Sequence, residues 1–136
     1  MPIHTNALLN YGYAVLRAAT ARAIVASGLH PSLSLHHRSA GDALALVDDL
    51  MEPLRPTVDL VVHRLVDAGV TEVKDAREDL MACLNADFPT ANGATPLSHI
   101  LVRLAQSLAR SFLDRKLRLD FPSRPLPDEI PESEDD

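Results

Sequence analysis

Three carboxylates fall within a single turn of a predicted helix: Asp48, Asp49 and Glu52. Because residues three and four positions apart are neighbours on a helix surface, Glu52 shares a face with both aspartates. Two histidines, His36 and His37, precede this helix in a predicted loop. Carboxylate oxygens with an imidazole form a suitable ligand set for Mn²⁺ or Mg²⁺. The spacing therefore allows a metal site and metal-assisted chemistry.

The same residues fit a simpler interpretation, because a charged cluster on an amphipathic helix is usually a solvated face. Arg55 follows in the next turn and could pair with Glu52 or with Asp59. Short motifs match by chance often. From spacing alone, the surface interpretation therefore has the larger weight.

The first element that must position this cluster is a predicted helix over about residues 5–27. The segment contains no proline, is rich in Ala and Leu, and meets Gly28, a common residue at a helix C-terminus. Gly12 lies in mid-helix, where glycine costs about 1 kcal/mol relative to alanine. We expect another backbone to approach the helix closely at this glycine.

A second apolar pattern with spacings of three and four begins near Asp42, and Pro53 and Pro56 should kink or split that helix. The predicted helix ends at the Asp67-Ala68-Gly69 segment. The remaining expected elements are a helix over about 74–85, a turn-rich connector over 88–93, and a last helix from Thr95 or Pro96 to about Leu117. The fold class predicted is all-α, an irregular helical bundle.

Charge divides the chain into two parts. The whole chain has 13 basic and 19 acidic residues, a net charge of −6. Residues 120–136 contain seven of the acidic residues and one basic residue, Arg124. This segment therefore carries the whole net charge of −6, and residues 1–119 are neutral overall. We expect one helical domain over 1–119 and an acidic, proline-containing flexible tail over 120–136.

The last predicted helix is net positive. Its basic residues could contact DNA phosphates, or they could form an ordinary solvated face. They are Arg103, Arg110, Arg115, Lys116 and Arg118.

The sequence also suggests a compartment. No apolar run reaches the roughly 18 residues of a membrane span, and the first residues lack the pattern of a signal peptide. Cys83 is the single cysteine. We expect a cytoplasmic protein without a membrane partner.

Three segments of the chain form a recognisable series: residues 6–13 (NALLNYGY), residues 28–37 (GLHPSLSLHH) and residues 48–59 (DDLMEPLRPTVD). In this order they resemble three segments of the CRISPR-associated spacer integrase, the universal adaptation endonuclease. The first is similar to its Asn-Tyr-Gly-Tyr segment, the second to its loop to a metal histidine, and the third to its acidic helix in the Met-Glu-Pro variant of type II systems. The resemblance implies the C-terminal helical lobe of a metal-dependent DNA endonuclease and integrase that inserts spacers into CRISPR arrays.

Carried onto this sequence, the resemblance makes His37 and Glu52 catalytic metal ligands and Asp49 an auxiliary carboxylate, with Mg²⁺ or Mn²⁺ as the cofactor. His37 is favoured over His36 because the family's ligand lies fifteen residues before the glutamate (52 − 37). The implied partners are double-stranded DNA, as spacer and CRISPR repeat, a second copy in a homodimer, and the small second CRISPR adaptation protein.

Two departures from the family pattern matter. Ser34 stands where the family prefers glycine. The family's first metal ligand is a glutamate upstream of the Asn-Tyr-Gly-Tyr segment, yet residues 1–41 contain no Asp or Glu. From the resemblance we expect these residues to lack the family's β-rich N-terminal lobe. We expect this chain alone to be inactive. Two alternatives remain open: a non-catalytic remnant or fragment acting through DNA or subunit contacts, and an unrelated helical interaction module.

Overall fold

The computed structural model describes residues 3–29, 45–114, 119–123 and 126–127. The helical bundle predicted as all-α is confirmed, and the structure adds one small two-stranded sheet to it. The elements in chain order are α1 (Ile3–Ala26), α2 (Ala45–Met51), a 3₁₀ turn (Glu52–Leu54), α3 (Arg55–Asp67), α4 (Val73–Ala82), a second 3₁₀ turn (Cys83–Asn85), β1 (Asp87–Thr90), β2 (Gly93–Pro96) and α5 (Leu97–Asp114).

Helix α1 lies at the centre of the bundle and packs against α2, α3, α4 and α5. Its side chains Leu8, Leu16 and Ile24 are fully buried. Arg17 and Arg22 are its only Lys, Arg, Asp or Glu residues, which suits a helix surrounded by apolar neighbours. Within the described ranges, no helix combines the length and the apolar character that crossing a membrane requires.

Gly12 is where α1 meets α3 and α4. A Cβ atom at this position would lie 2.5 Å from Val58 Cγ1 and 3.3 Å from Leu80 Cδ2. Another helix does approach closely here, as expected, but the atoms nearest to this position belong to side chains of α3 and α4. The missing side chain of Gly12 admits a valine methyl group into the helix contact.

The two prolines split the second helical segment, as predicted. Proline lacks the N–H of a helical hydrogen bond and its ring clashes with the preceding turn. The chain therefore passes from α2 through the 3₁₀ turn into α3. Pro53 lies in the first two residues of the 3₁₀ turn and Pro56 in the first two residues of α3, where a backbone N–H would have no partner within the helix. Helix α3 ends at Asp67, and Gly69 follows with φ of +88°.

The segment expected to be a turn-rich connector is part of a β-hairpin instead. Strand β1 pairs antiparallel with β2, and Phe88 stands opposite Thr95. Thr90 Oγ1 donates a hydrogen bond to the Gly93 carbonyl at 2.8 Å, and Phe88 is fully buried. Strands of four residues, each with a proline, are too short for alternation to reveal them.

Residues 119–123 contact the helical body. Asp120 N donates to Ser107 Oγ at 3.0 Å, and Arg103 Nε lies 3.2 Å from Asp120 Oδ2. Ser123 N donates to the Pro89 carbonyl at 2.8 Å. The division at residues 119 and 120 stays a prediction, since most of the predicted tail lies outside the described residues.

Candidate metal and nucleic-acid site

The break between α2 and α3 borders a cleft of about 340 Å³ that opens against α1. Because the break turns the chain at the carboxylate cluster, this cleft gathers side chains from four elements: α1, α2, the 3₁₀ turn and α3. The cleft is lined by two basic residues, three acidic residues and one methionine: Arg17, Arg55, Asp48, Asp49, Glu52 and Met51. The structure thus brings together Asp49 and Glu52, as the sequence predicts.

The first aspartate of the cluster is paired across the helix interface. Arg17 Nε on α1 donates to Asp48 Oδ1 at 3.1 Å, and both side chains are partly exposed. This pair offsets one of the like charges within the turn. Asp48 therefore has an environment different from that of Glu52, although both line the same cleft.

Glu52 pairs with Arg55, one of the two partners that the sequence left open for this arginine. Arg55 Nη1 donates to Glu52 Oε2 at 2.9 Å, and 64% of the Glu52 side chain is exposed. This hydrogen bond raises the pKa of Arg55. An ion pair this exposed adds at most about 1 kcal/mol to stability, so its structural effect is mainly on orientation.

Tyr13 joins α1 to this pair. The Tyr13 ring lies against the Arg55 guanidinium, with Arg55 Cζ 4.4 Å from the ring centroid. The Tyr13 hydroxyl donates a hydrogen bond to Asp59 Oδ1. Partial burial, followed by the hydrogen bond and charge of Asp59, raises the pKa of Tyr13, while Arg55 opposes that shift. The sequence predicted that one of Tyr11 and Tyr13 is buried and that the other makes a polar contact near the site or with DNA. It did not identify Arg55 and Asp59 as the residues that Tyr13 contacts.

The remaining metal ligand expected from the sequence, His37, lies outside the described residues, as does His36. Among the residues that are described, no group of three or more His, Cys, Asp or Glu side chains could hold a metal ion. Asp49 and Glu52 nevertheless suit Mg²⁺ chemically, because this ion is often held by one or two carboxylates, several waters and substrate phosphates.

The predicted DNA contacts on α5 are described only in part. Arg103 is engaged by Asp120 in the ion pair given above. Arg110 lies on an exposed part of α5. The other three basic residues, Arg115, Lys116 and Arg118, lie outside the described residues. Within the described part of the chain, Arg103 has an acidic partner and Arg110 has none.

Known proteins of similar sequence share a family description. A sequence model of the family described as CRISPR associated protein Cas1 matches residues 4–87. The CRISPR-associated endonuclease Cas1 of Neisseria meningitidis is 53% identical over 64 residues, which cover 47% of this chain and 21% of that protein. The CRISPR-associated endonuclease Cas1 2 of Pyrobaculum aerophilum is 36% identical over 110 residues, or 78% of this chain and 37% of that protein.

A solved structure is similar over nearly the whole chain. It is a casposase bound to integration product, with a TM-score of 0.77 and 28% sequence identity, and the match covers 96% of this chain and 41% of the casposase. The chain thus spans less than half the length of each of these proteins. The family match includes α1, the carboxylate cluster and all of α3. This chain belongs to the Cas1 family of CRISPR-associated proteins.

Proposed function

We propose that this chain is the helical lobe of a metal-dependent DNA endonuclease and integrase that inserts spacers into CRISPR arrays. Its family membership supports the proposal, as do the relatives named endonucleases and the casposase bound to integration product. The observation that carries the proposal is that Asp49 and Glu52 line one cleft at the α2–α3 break.

The proposed metal ligands are His37, Asp49 and Glu52, and the proposed cation is Mg²⁺ or Mn²⁺. The two carboxylates supply the hard oxygen donors that both cations prefer. When bound, the cation would polarise a phosphodiester and stabilise charge on the attacking and leaving oxygens. In integration the attacking group is the 3′ hydroxyl of the incoming spacer, and in hydrolysis it is water.

The proposed substrate is double-stranded DNA, as spacer and as CRISPR repeat. Further proposed partners are a second copy of the protein and the small second CRISPR adaptation protein. Basic residues of α5 and the segment that follows would contact phosphates, which supplies affinity without sequence specificity.

A binding experiment with the isolated chain tests the metal site directly. Mn²⁺ is titrated and the free ion is followed by its electron paramagnetic resonance signal. We expect weak, roughly millimolar binding, because few protein ligands leave a cation mostly hydrated. Glu52→Gln and His37→Ala should weaken it further.

The matched control is Asp48→Asn, which removes a neighbouring carboxylate of the same cleft that Arg17 already holds. It should leave Mn²⁺ binding close to that of the wild type. If Asp48→Asn and Glu52→Gln weaken binding equally, the carboxylates act only as a diffuse surface charge and the proposed ligand set is wrong.

A further inference from the structure

Four side chains form a continuous line of contacts that ends at Glu52. Asp59 accepts a hydrogen bond from Tyr13, the Tyr13 ring lies against the Arg55 guanidinium, and Arg55 donates to Glu52 Oε2. Tyr13 comes from α1, whereas the other three residues follow one another from the 3₁₀ turn into α3. The line therefore ties the orientation of Glu52 to the packing of α1 on α3.

We propose that Arg55 and Tyr13 are positioning residues for metal binding: Arg55 holds Glu52 Oε2 so that Oε1 faces the cation, and Tyr13 holds Arg55. This inference rests on the proposed function, because it assumes that Glu52 is a metal ligand. It adds two residues that do not themselves contact the cation.

The physical reason is the freedom of an exposed glutamate. Fixing a Glu side chain costs up to about 2 kcal/mol of rotamer entropy, and Glu52 is 64% exposed. An ion pair with a mobile arginine would restrict it little. Arg55 is itself restrained, because its planar guanidinium stacks on an aromatic ring that Asp59 holds in turn. Carboxylates that bind metals commonly accept such a second hydrogen bond.

Simple electrostatics predicts the opposite effect of Arg55. A guanidinium beside a metal ligand repels the incoming cation, so removal of its charge would tighten Mn²⁺ binding if Arg55 were only a neighbouring charge. Positioning predicts weaker binding on the same substitution. The sign of the change in affinity therefore separates the two roles.

The experiment compares Mn²⁺ binding to the full chain and to Arg55→Gln by the paramagnetic resonance signal of the free ion. We expect Arg55→Gln to weaken binding by about tenfold or more, the usual effect of losing such a supporting hydrogen bond. The matched control is Arg17→Gln, which removes the same charge from the same cleft but from an arginine paired with Asp48. It should leave binding unchanged or tighten it. Unchanged or tighter binding in Arg55→Gln overturns the inference.

A second pair of variants tests Tyr13. Tyr13→Phe keeps the ring against Arg55 and should retain more of the affinity than Tyr13→Leu, which removes the ring. Equal affinity in Tyr13→Leu and the wild type overturns the role of Tyr13. Thermal unfolding of each variant confirms that the affinities compared are those of folded chains.

Failure of the inference differs from failure of the proposed function. If Glu52→Gln leaves Mn²⁺ binding unchanged, Glu52 is not a ligand and both are overturned. If Glu52→Gln weakens binding while Arg55→Gln does not, the proposed function stands and only the positioning role is wrong.

Discussion

Gly12 on α1 and Val58 on α3 meet where there is room for a hydrogen atom but not for a methyl group. A Cβ atom on Gly12 would lie 2.5 Å from Val58 Cγ1, closer than such contacts occur in folded proteins. Tyr13 is the next residue on α1 and reaches Asp59, the next residue on α3. Gly12 lets α1 pack closely on α3. The same close packing brings Tyr13 into contact with Asp59 and Arg55.

Gly12→Ala should lower the free energy of unfolding by about 1 kcal/mol in urea titrations. Overpacking a core costs about 1–3 kcal/mol, and the better helix propensity of alanine returns about 1 kcal/mol. In a Val58→Ala background the same substitution should be neutral or stabilising, because the clashing methyl group is gone. An equal loss in both backgrounds would show that the Val58 contact does not limit this position.

At alkaline pH, above about 9, the free energy of unfolding should decrease as the pH rises, in part because of the Cys83 thiol. Burial raises the pKa of its thiol to about 12, whereas an unfolded cysteine titrates near 8.5. Between these values the folded chain retains a proton that the unfolded chain loses. Stability therefore falls as pH rises through this window, by up to about 1.4 kcal/mol per pH unit.

The measurement is urea unfolding at several pH values from roughly two units below to two units above the pKa of an unfolded cysteine. The control is Cys83→Ala. The control should lose stability with pH less steeply than the wild type, because it lacks the thiol. Parallel slopes in the two proteins would contradict the assignment to Cys83.

Arg110 and Arg103 should differ in their effect on DNA binding, given the DNA partner proposed above. Arg110→Gln is expected to weaken binding and to reduce the slope of log affinity against log salt by about one, as for the loss of one phosphate contact. Arg103→Gln should have the smaller effect, because Asp120 offsets that charge at 3.2 Å. Filter binding at several salt concentrations measures both slopes, and a larger change for Arg103 would reverse the assignment.

The 136 residues alone should show no Mn²⁺-dependent cleavage or strand transfer on linear or branched DNA. Holding a cation for phosphoryl transfer needs converging ligands, and residues 1–41 contain no Asp or Glu to supply the upstream carboxylate that the family resemblance implies. The assay runs beside His37→Ala and Glu52→Ala. Robust activity that both substitutions abolish would mean that the site is complete within these residues.

Features decided by neighbouring residues could be predicted from the sequence. The α2–α3 split follows from Pro53 and Pro56, whose effect on the backbone is confined to about one turn. The shared face of Asp49 and Glu52 follows from helical spacing alone. The family could be identified because its motifs are contiguous segments.

Features decided by helix packing could not be predicted in the same way. The β-hairpin was missed because its strands of four residues carry little pattern of their own and are stabilised by the buried Phe88. Tyr13 and Asp59 are 46 residues apart, and nothing local to either one specifies their contact. The carboxylate cluster was thus determined by the sequence itself. Arg55 and Glu52 are only three residues apart, so their pairing was open to prediction from the sequence. That Arg17 holds Asp48 and that Tyr13 reaches Asp59 was decided only when α1 packed against α2 and α3, because those contacts join side chains that the chain order keeps apart.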